Sequence, residues 1–132
     1  MEDVFIARVM SSEVTTITPD ASVEDAATVM LDRGIGSVVV VDETGSLEGI
    51  LTTTDFVRIV AERLPKDEST VAEYMTTDVR TAHPQDVVTD VATRLVEHGI
   101  HHLPVVDEDS HVVGVVTTTD LTSYVSRLES HA

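Results

Sequence analysis

Sliding the chain 65 positions along itself, without a gap, lays Met10 on Met75, Pro19 on Pro84, Gly34 on Gly99, Asp42 on Asp107 and Gly49 on Gly114. The same shift lays Thr52-Thr53-Thr54-Asp55 on Thr117-Thr118-Thr119-Asp120. The chain is two copies of one unit. A copy of roughly 60 residues is near the size at which burial alone gives only marginal stability. The twins are therefore expected to share a core, and the groove between twins offers two related sites. The division reads as copy one over 1–64, a linker over 65–70 and copy two over 71–132, with Leu64-Pro65-Lys66-Asp67-Glu68-Ser69 the stretch of linker composition.

Composition narrows what such a groove can hold. Hydrophobic residues make up 42% of the chain, but there is no Trp and only two Tyr and two Phe, which argues against a stacking platform for single-stranded nucleic acid. A formal charge of −16 repels phosphate backbones, so no direct nucleic-acid partner is expected. No apolar run approaches the roughly 20 residues that span a bilayer. Met1-Glu2-Asp3 is the reverse of a basic signal-peptide opening, and a cytoplasmic location with no membrane partner is expected. The absence of cysteine removes disulfides, thiolate nucleophiles and cysteine-ligated zinc together. The eight cations are seven Arg and the single Lys66, while acids are spread over both copies. That pattern resembles halophilic proteins, in which a Debye length of about 3 Å at 1 M salt screens self-repulsion. An ordinary acidic cytosolic protein is the alternative.

Each copy opens on a short apolar segment, Val4-Phe5-Ile6-Ala7-Arg8-Val9-Met10 and Val71-Ala72-Glu73-Tyr74-Met75, read as a helical turn. A brief strand follows, from Val14 to Ile17 and from Val79 to Ala82, and Pro19 and Pro84 break it. Ser22 and Asp86 are candidate N-caps for the helices beyond. Val23, Ala26, Ala27 and Met30 match Val88, Val91, Ala92 and Leu95, each set spaced as one buried helix face, and Gly34 and Gly99 end those helices. Val38 to Val41 and Leu103 to Val106 are continuous apolar runs, as expected of strands buried on both faces. Polar turns lead from them into Leu47 to Thr52 and Val112 to Thr117, which pair with them as hairpins. Pro104 cannot donate to a ladder, so its strand should lie at an edge or be bulged there. A last helix carries Phe56, Ile59 and Val60 in copy one and Leu121, Tyr124, Val125 and Leu128 in copy two, and of these Phe56, Ile59, Tyr124 and Leu128 are expected to lack a partner within one copy. The class is α/β, in the order strand, helix, strand, strand, helix per copy.

Thr52-x-x-Asp55 and Thr117-x-x-Asp120 each follow a buried strand and open a helix, where unpaired N–H groups and the positive dipole end favour an anion. A Thr hydroxyl can meet a phosphate or sugar there, and a first-turn carboxylate can accept both hydrogens of a ribose diol. The same four residues also spell a capping box that needs no ligand.

Read with Met10, Pro19, Gly34-Ile35, Val40-Val41-Asp42 and Gly49-Ile50-Leu51-Thr52, the motif resembles the cystathionine-β-synthase (CBS) domain. The second copy is similar through Gly99-Ile100-His101-His102-Leu103-Pro104-Val105-Val106-Asp107 and Gly114-Val115-Val116-Thr117-x-x-Asp120, and the resemblance covers nearly the whole chain as a tandem, or Bateman, module. It implies two repeats packed with pseudo-twofold symmetry through small three-stranded sheets, helices outside. It also implies clefts between the repeats that take AMP, ADP, ATP or S-adenosylmethionine. Carried over by position, Asp55 and Asp120 would hold ribose hydroxyls, and Thr52 and Thr117 would sit beside phosphate or ribose. The base would be bordered by Val14 to Thr16 in one site, and by Val79, Arg80 and Thr81 in the other. Ile35, Gly36, Ser37 and Val38, with His101, His102, Leu103 and Pro104, would form the remaining walls. Thr53 and Thr54 depart from the charged residues that many relatives carry there.

His98, His101 and His102 lie close in sequence, but His98 is explained by a helix C-terminus, which favours a cation, and no carboxylate has convincing ligand spacing. No metal is expected. Nor is there a nucleophile elbow, a catalytic carboxylate pair or a P-loop. The chain reads as a non-catalytic ligand sensor, without a resident cofactor, that signals to a partner protein as a homodimer. The alternatives are a structural dimerisation module with empty clefts and an enzyme of unassigned type.

Overall fold

A computed structural model describes residues 4–62 and 69–129. Met1-Glu2-Asp3 and most of the expected linker lie outside the described residues. In chain order the elements are a 3-10 turn (Ile6–Arg8), β1 (Thr16–Ile17), α1 (Val23–Arg33), β2 (Ser37–Val41), β3 (Leu47–Thr52), α2 (Thr53–Ala61), α3 (Val71–Tyr74), α4 (Val88–His98), β4 (His102–Val106), β5 (Val112–Thr117) and α5 (Thr118–Glu129). The α/β class and the helix and hairpin positions are those the residue spacing implies. Gly34 and Gly99 close α1 and α4 in the left-handed region at φ 62 and 60, where a side chain would be strained.

The chain resolves into two compact units, Thr15–Val79 and Met1–Val14 with Arg80–Ala132. Each sheet thus takes its opening turn from the other copy. In the unit Thr15–Val79, β1 runs parallel to β2 and β2 antiparallel to β3. Val71, at the head of α3, is fully buried with Ala26, Met30, Val38, Val40 and Leu51. Its N–H donates to the Ala21 carbonyl at 2.8 Å, and Ile50 and Thr76 exchange two backbone hydrogen bonds at 3.0 and 2.9 Å. Met75 lies so close over β3 that a Cβ on Gly49 would fall 2.7 Å from its Sδ and 2.8 Å from the Thr76 carbonyl. That approach is the reason for a glycine here.

The other unit repeats these contacts. Ile6 and Val9 join a core of Ala82, Val88, Val91, Leu95, Leu103, Val105 and Val116. The Ile6 N–H donates to the Asp86 carbonyl at 2.7 Å, Ser11 and Val115 exchange hydrogen bonds at 2.8 and 3.0 Å, and Met10 lies over Gly114.

Three expectations are corrected. The expected strand from Val79 to Ala82 is a single parallel bridge, Ala82 to Val105, so the second sheet has two strands rather than three. The cause is Pro104. In the first copy the Val39 N–H donates to the Thr15 carbonyl at 3.1 Å; Pro104 stands at the position of Val39 and has no N–H to give to Arg80. Its carbonyl still accepts from Ala82 at 2.9 Å. Secondly, Ser22 does cap α1, accepting the Asp25 N–H at 3.0 Å, but Asp86 does not cap α4, whose N-cap is Val87. The Asp86 carboxylate instead accepts the His83 N–H at 2.9 Å and pairs with Arg94 at 2.8 Å. Burial pushes this carboxyl up, but the His83 amide and Arg94 outweigh it and hold it below the usual range. Thirdly, of the residues expected to lack a partner within one copy, Ile59 is buried, and Phe56 and Tyr124 pack on the cores. The exposed apolar residues of α2 and α5 are Val57, Val60, Val125 and Leu128.

Candidate functional site

Both Thr-x-x-Asp motifs form capping boxes. At α5 the Thr117 N–H donates to Asp120 Oδ2 at 2.9 Å, and the Asp120 N–H returns a bond to Thr117 Oγ1 at 3.0 Å. At α2 the Thr52 N–H donates to Asp55 Oδ2 at 2.8 Å within the same reciprocal pairing. The residue ahead of the neighbouring strand, β4 or β2, adds to each cap: the His101 carbonyl accepts from Thr118, and the Gly36 carbonyl from Thr53, both at 3.1 Å. Capping is therefore real, and what separates a binding group from a structural one is what each carboxylate has left over.

The two aspartates differ in that respect. Asp55 is 3% exposed, and its Oδ1 lies 3.5 Å from the Arg58 guanidinium. At the position of Arg58 the second copy has Ser123. Asp120 is half-buried, and its Oδ1 accepts only a hydroxyl, from Ser11 Oγ at 3.1 Å, among the hydrogen bonds of the described residues. A carboxylate has about four acceptor positions, so Asp120 keeps capacity for further donors.

His102 stands opposite Thr117 in the β4–β5 register, where the first copy pairs Ser37 with Thr52. Burial lowers the His102 pKa, the neighbouring His101 lowers it further, and Asp120 pulls the other way. The lowered pKa favours the neutral ring. Its Nδ1 is the one buried side-chain nitrogen or oxygen among the described residues with no hydrogen-bond partner. Unpaired buried polar atoms are costly in an interior and need an explanation. Along α5, from the same turn, runs a groove lined by Thr118, Thr119, Thr122, Ser123, Ser126 and Arg127, with no carboxylate among them.

The remaining sequence candidates differ in burial and in the unit to which they belong. Val38 and Leu103 are 0% and 1% exposed and spend their side chains on the two cores. Pro104 is buried beside Leu103, and Ile35 is half-buried against the first core. Thr16 and Arg80 are exposed, and the Thr81 carbonyl accepts from Arg94 at 3.0 Å. Val14 falls in the compact unit of Asp120, and Val79 in that of Asp55. Sequence reasoning missed Ser11 and Arg58, the two groups that distinguish the aspartates. Both left a trace: Ser11 matches Thr76, a second hydroxyl after the paired methionines, and Arg58 stands three residues after Asp55 on one helix face. His98, His101 and His102 form no ligand cluster. Among the described residues, the three close potential ligands are Asp107, Asp109 and His111 in the β4–β5 turn. There Asp107 Oδ1 is engaged by the turn's own N–H groups, from Asp109 and His111.

The family model described as CBS domain matches residues 6–62 and again 71–127. The chain belongs to the CBS domain family. The CBS domain pair of protein MJ0100, in complex with 5′-methylthioadenosine and S-adenosyl-L-methionine, superposes with a TM-score of 0.87 at 30% identity, covering 95% of this chain and 98% of that one. An acetoin utilization protein (AcuB) of Vibrio cholerae superposes with a TM-score of 0.92 at 26% identity, over 98% and 97% of the two chains. A homoserine O-acetyltransferase of Methanococcoides burtonii is 38% identical over 116 residues, 88% of this chain and 23% of that protein. An L-aspartate semialdehyde sulfurtransferase of Methanocaldococcus jannaschii is 34% identical over 113 residues, 86% and 21%. This CBS pair thus spans less than a quarter of either curated relative. No helix among its described residues is long and apolar enough to cross a membrane.

Proposed function

We propose that this CBS pair is a non-catalytic regulatory module of the cytoplasm that binds an adenosine-containing ligand at the Asp120 centre and reports its occupancy to a partner protein. The observation that carries the reading is the pairing of a half-open carboxylate, Asp120, with the unpartnered His102 Nδ1 beside it. A vicinal diol donates two hydrogens to such a carboxylate, and a neutral imidazole nitrogen offers one further bond to the sugar or base. Arg80 is exposed and the α5 groove lacks acids, which suits AMP, ADP or ATP. The adenosine ligands of the MJ0100 pair support the class and bring S-adenosylmethionine into it. The Asp55 centre, closed by Arg58, is the weaker site.

A melting panel with AMP, ADP, ATP, NAD and S-adenosylmethionine tests this. A ligand at about 100 times its dissociation constant adds roughly 2.7 kcal/mol, which moves the transition by several degrees. At least one adenosine compound gives that rise. A flat panel leaves the second reading, a dimerisation module with empty sites, which the exposed Val57, Val60, Val125 and Leu128 favour.

Those residues also support a homodimer, and 24 acids against 8 cations support a halophilic setting. Light scattering and melting followed from low to molar salt return a dimer mass and a rising Tm, since salt screens the excess negative charge. A monomer at every concentration rejects the dimer, and a flat or falling Tm rejects the halophilic setting.

A further inference from the structure

We propose that the Ser11 hydroxyl stands in for a ligand hydroxyl on Asp120, so that a vicinal diol and the opening segment of the chain compete for one carboxylate oxygen. The inference rests on the adenosine reading of Asp120 and names how that site is regulated. Asp120 Oδ2 is committed to the Thr117 N–H, a helix-start donor without an intrahelical partner. Oδ1 is the exchangeable oxygen, and Ser11 Oγ donates to it at 3.1 Å. A ribose hydroxyl is the same kind of donor, so exchange conserves the bond, and a diol brings two donors against one. The displaced Ser11 side chain is exposed and finds water. In the twin centre Asp55 Oδ1 faces the Arg58 guanidinium, a charge that a neutral hydroxyl does not replace on a buried carboxylate. Competition is therefore confined to Asp120.

Ser11 is not a loose residue. Its N–H and carbonyl both pair with Val115 on β5, and Met10 before it lies over Gly114. Ligand binding removes the one side-chain tie between this segment and α5 that the described hydrogen bonds contain, while the backbone ties stay. Occupancy of the site is thereby felt at the chain's opening segment.

The test is calorimetry on the full chain with AMP and with 2′,3′-dideoxy-AMP, for the wild type, Ser11→Ala and Ser11→Thr. Loss of one competing hydrogen bond tightens AMP binding to Ser11→Ala by about 2- to 10-fold. Dideoxy-AMP binds wild type and Ser11→Ala alike, and Ser11→Thr, which keeps the hydroxyl, behaves as wild type. In parallel, AMP speeds amide exchange at Ser11 in the wild type, whereas Ser11→Ala starts fast and does not respond. An equal gain for both nucleotides, or no gain, overturns the competition while the adenosine reading stands. Equal affinity of the wild type for AMP and dideoxy-AMP, or no AMP binding by any of the three proteins, overturns the reading of Asp120 itself, and the competition with it.

Discussion

Ile6→Ala lowers the stability of the chain by about 3 kcal/mol, the usual cost of removing a large aliphatic side chain from a packed core, and the loss is felt in β4 and β5. Ile6 is fully buried although it stands six residues from the start of the chain, and its neighbours are Val88, Val91, Leu103 and Val105 of the second copy. The turn it opens is tied by backbone hydrogen bonds to Asp86 and Pro84, and Ser11 is tied to Val115. Urea unfolding gives the size of the loss and native-state hydrogen exchange its location, because amides of the weakened cooperative unit lose protection first. Protection should fall at Leu103, Val105 and Val116. If it falls instead at Val38, Val40 and Leu51, the opening turn belongs to its own copy's sheet, and the exchange of segments is wrong.

Asp120→Ala weakens binding of the adenosine ligand by about 1–3 kcal/mol, roughly a 5- to 150-fold rise in dissociation constant, as expected when a charged acceptor of two hydroxyls is removed. Asp55→Ala leaves that affinity nearly unchanged and costs about 1–2 kcal/mol of stability instead, the scale of a lost helix cap. The contrast follows from geometry: Asp55 is buried, with its oxygens on the Thr52 N–H and Arg58, whereas Asp120 is half-open and held by a hydroxyl. Calorimetry and urea unfolding on both variants decide it. Equal losses of affinity mean two equivalent or coupled centres, and no loss in either returns Thr-x-x-Asp to helix capping alone.

What could be read without coordinates was whatever depends on neighbours in the chain. The period of Val23, Ala26 and Met30, the glycines that end α1 and α4, and the apolar runs of β2 and β4 are local signals, and each element lies where they put it. Pro104 was legible as a missing donor, but a missing donor does not say which acceptor goes without. The shortfall fell on Arg80 and dissolved a third strand, while the β4–β5 hairpin kept its register. Asp86 looked like a cap because acids favour helix starts. Arg94, two turns away on α4, is the competitor that took it. The candidate site was legible in its shared residues and not in its differences. Thr-x-x-Asp occurs twice with identical letters, and the unequal fates of the two carboxylates come from Arg58 against Ser123 and from a serine that reaches Asp120 only through the fold. Least legible was the exchange of opening turns. Two copies of one segment fit two copies of one sheet equally well by composition, and the spacing of Met10 from Gly49 or Gly114 does not choose between them.

That exchange imposes an order of events during synthesis. The unit Thr15–Val79 is contiguous, so all of it has been synthesised before β4 is made. Ile6 and Val9 are made before that unit, yet their partners Leu103, Val105 and Val116 are made after it. Translation runs at about 5–20 residues per second, so the turn holding Ile6 and Val9 waits several seconds before its core partners exist. A segment made ahead of the unit Thr15–Val79 is thus among the last to reach its place, and the net charge of −16 opposes its meeting other chains in the meantime.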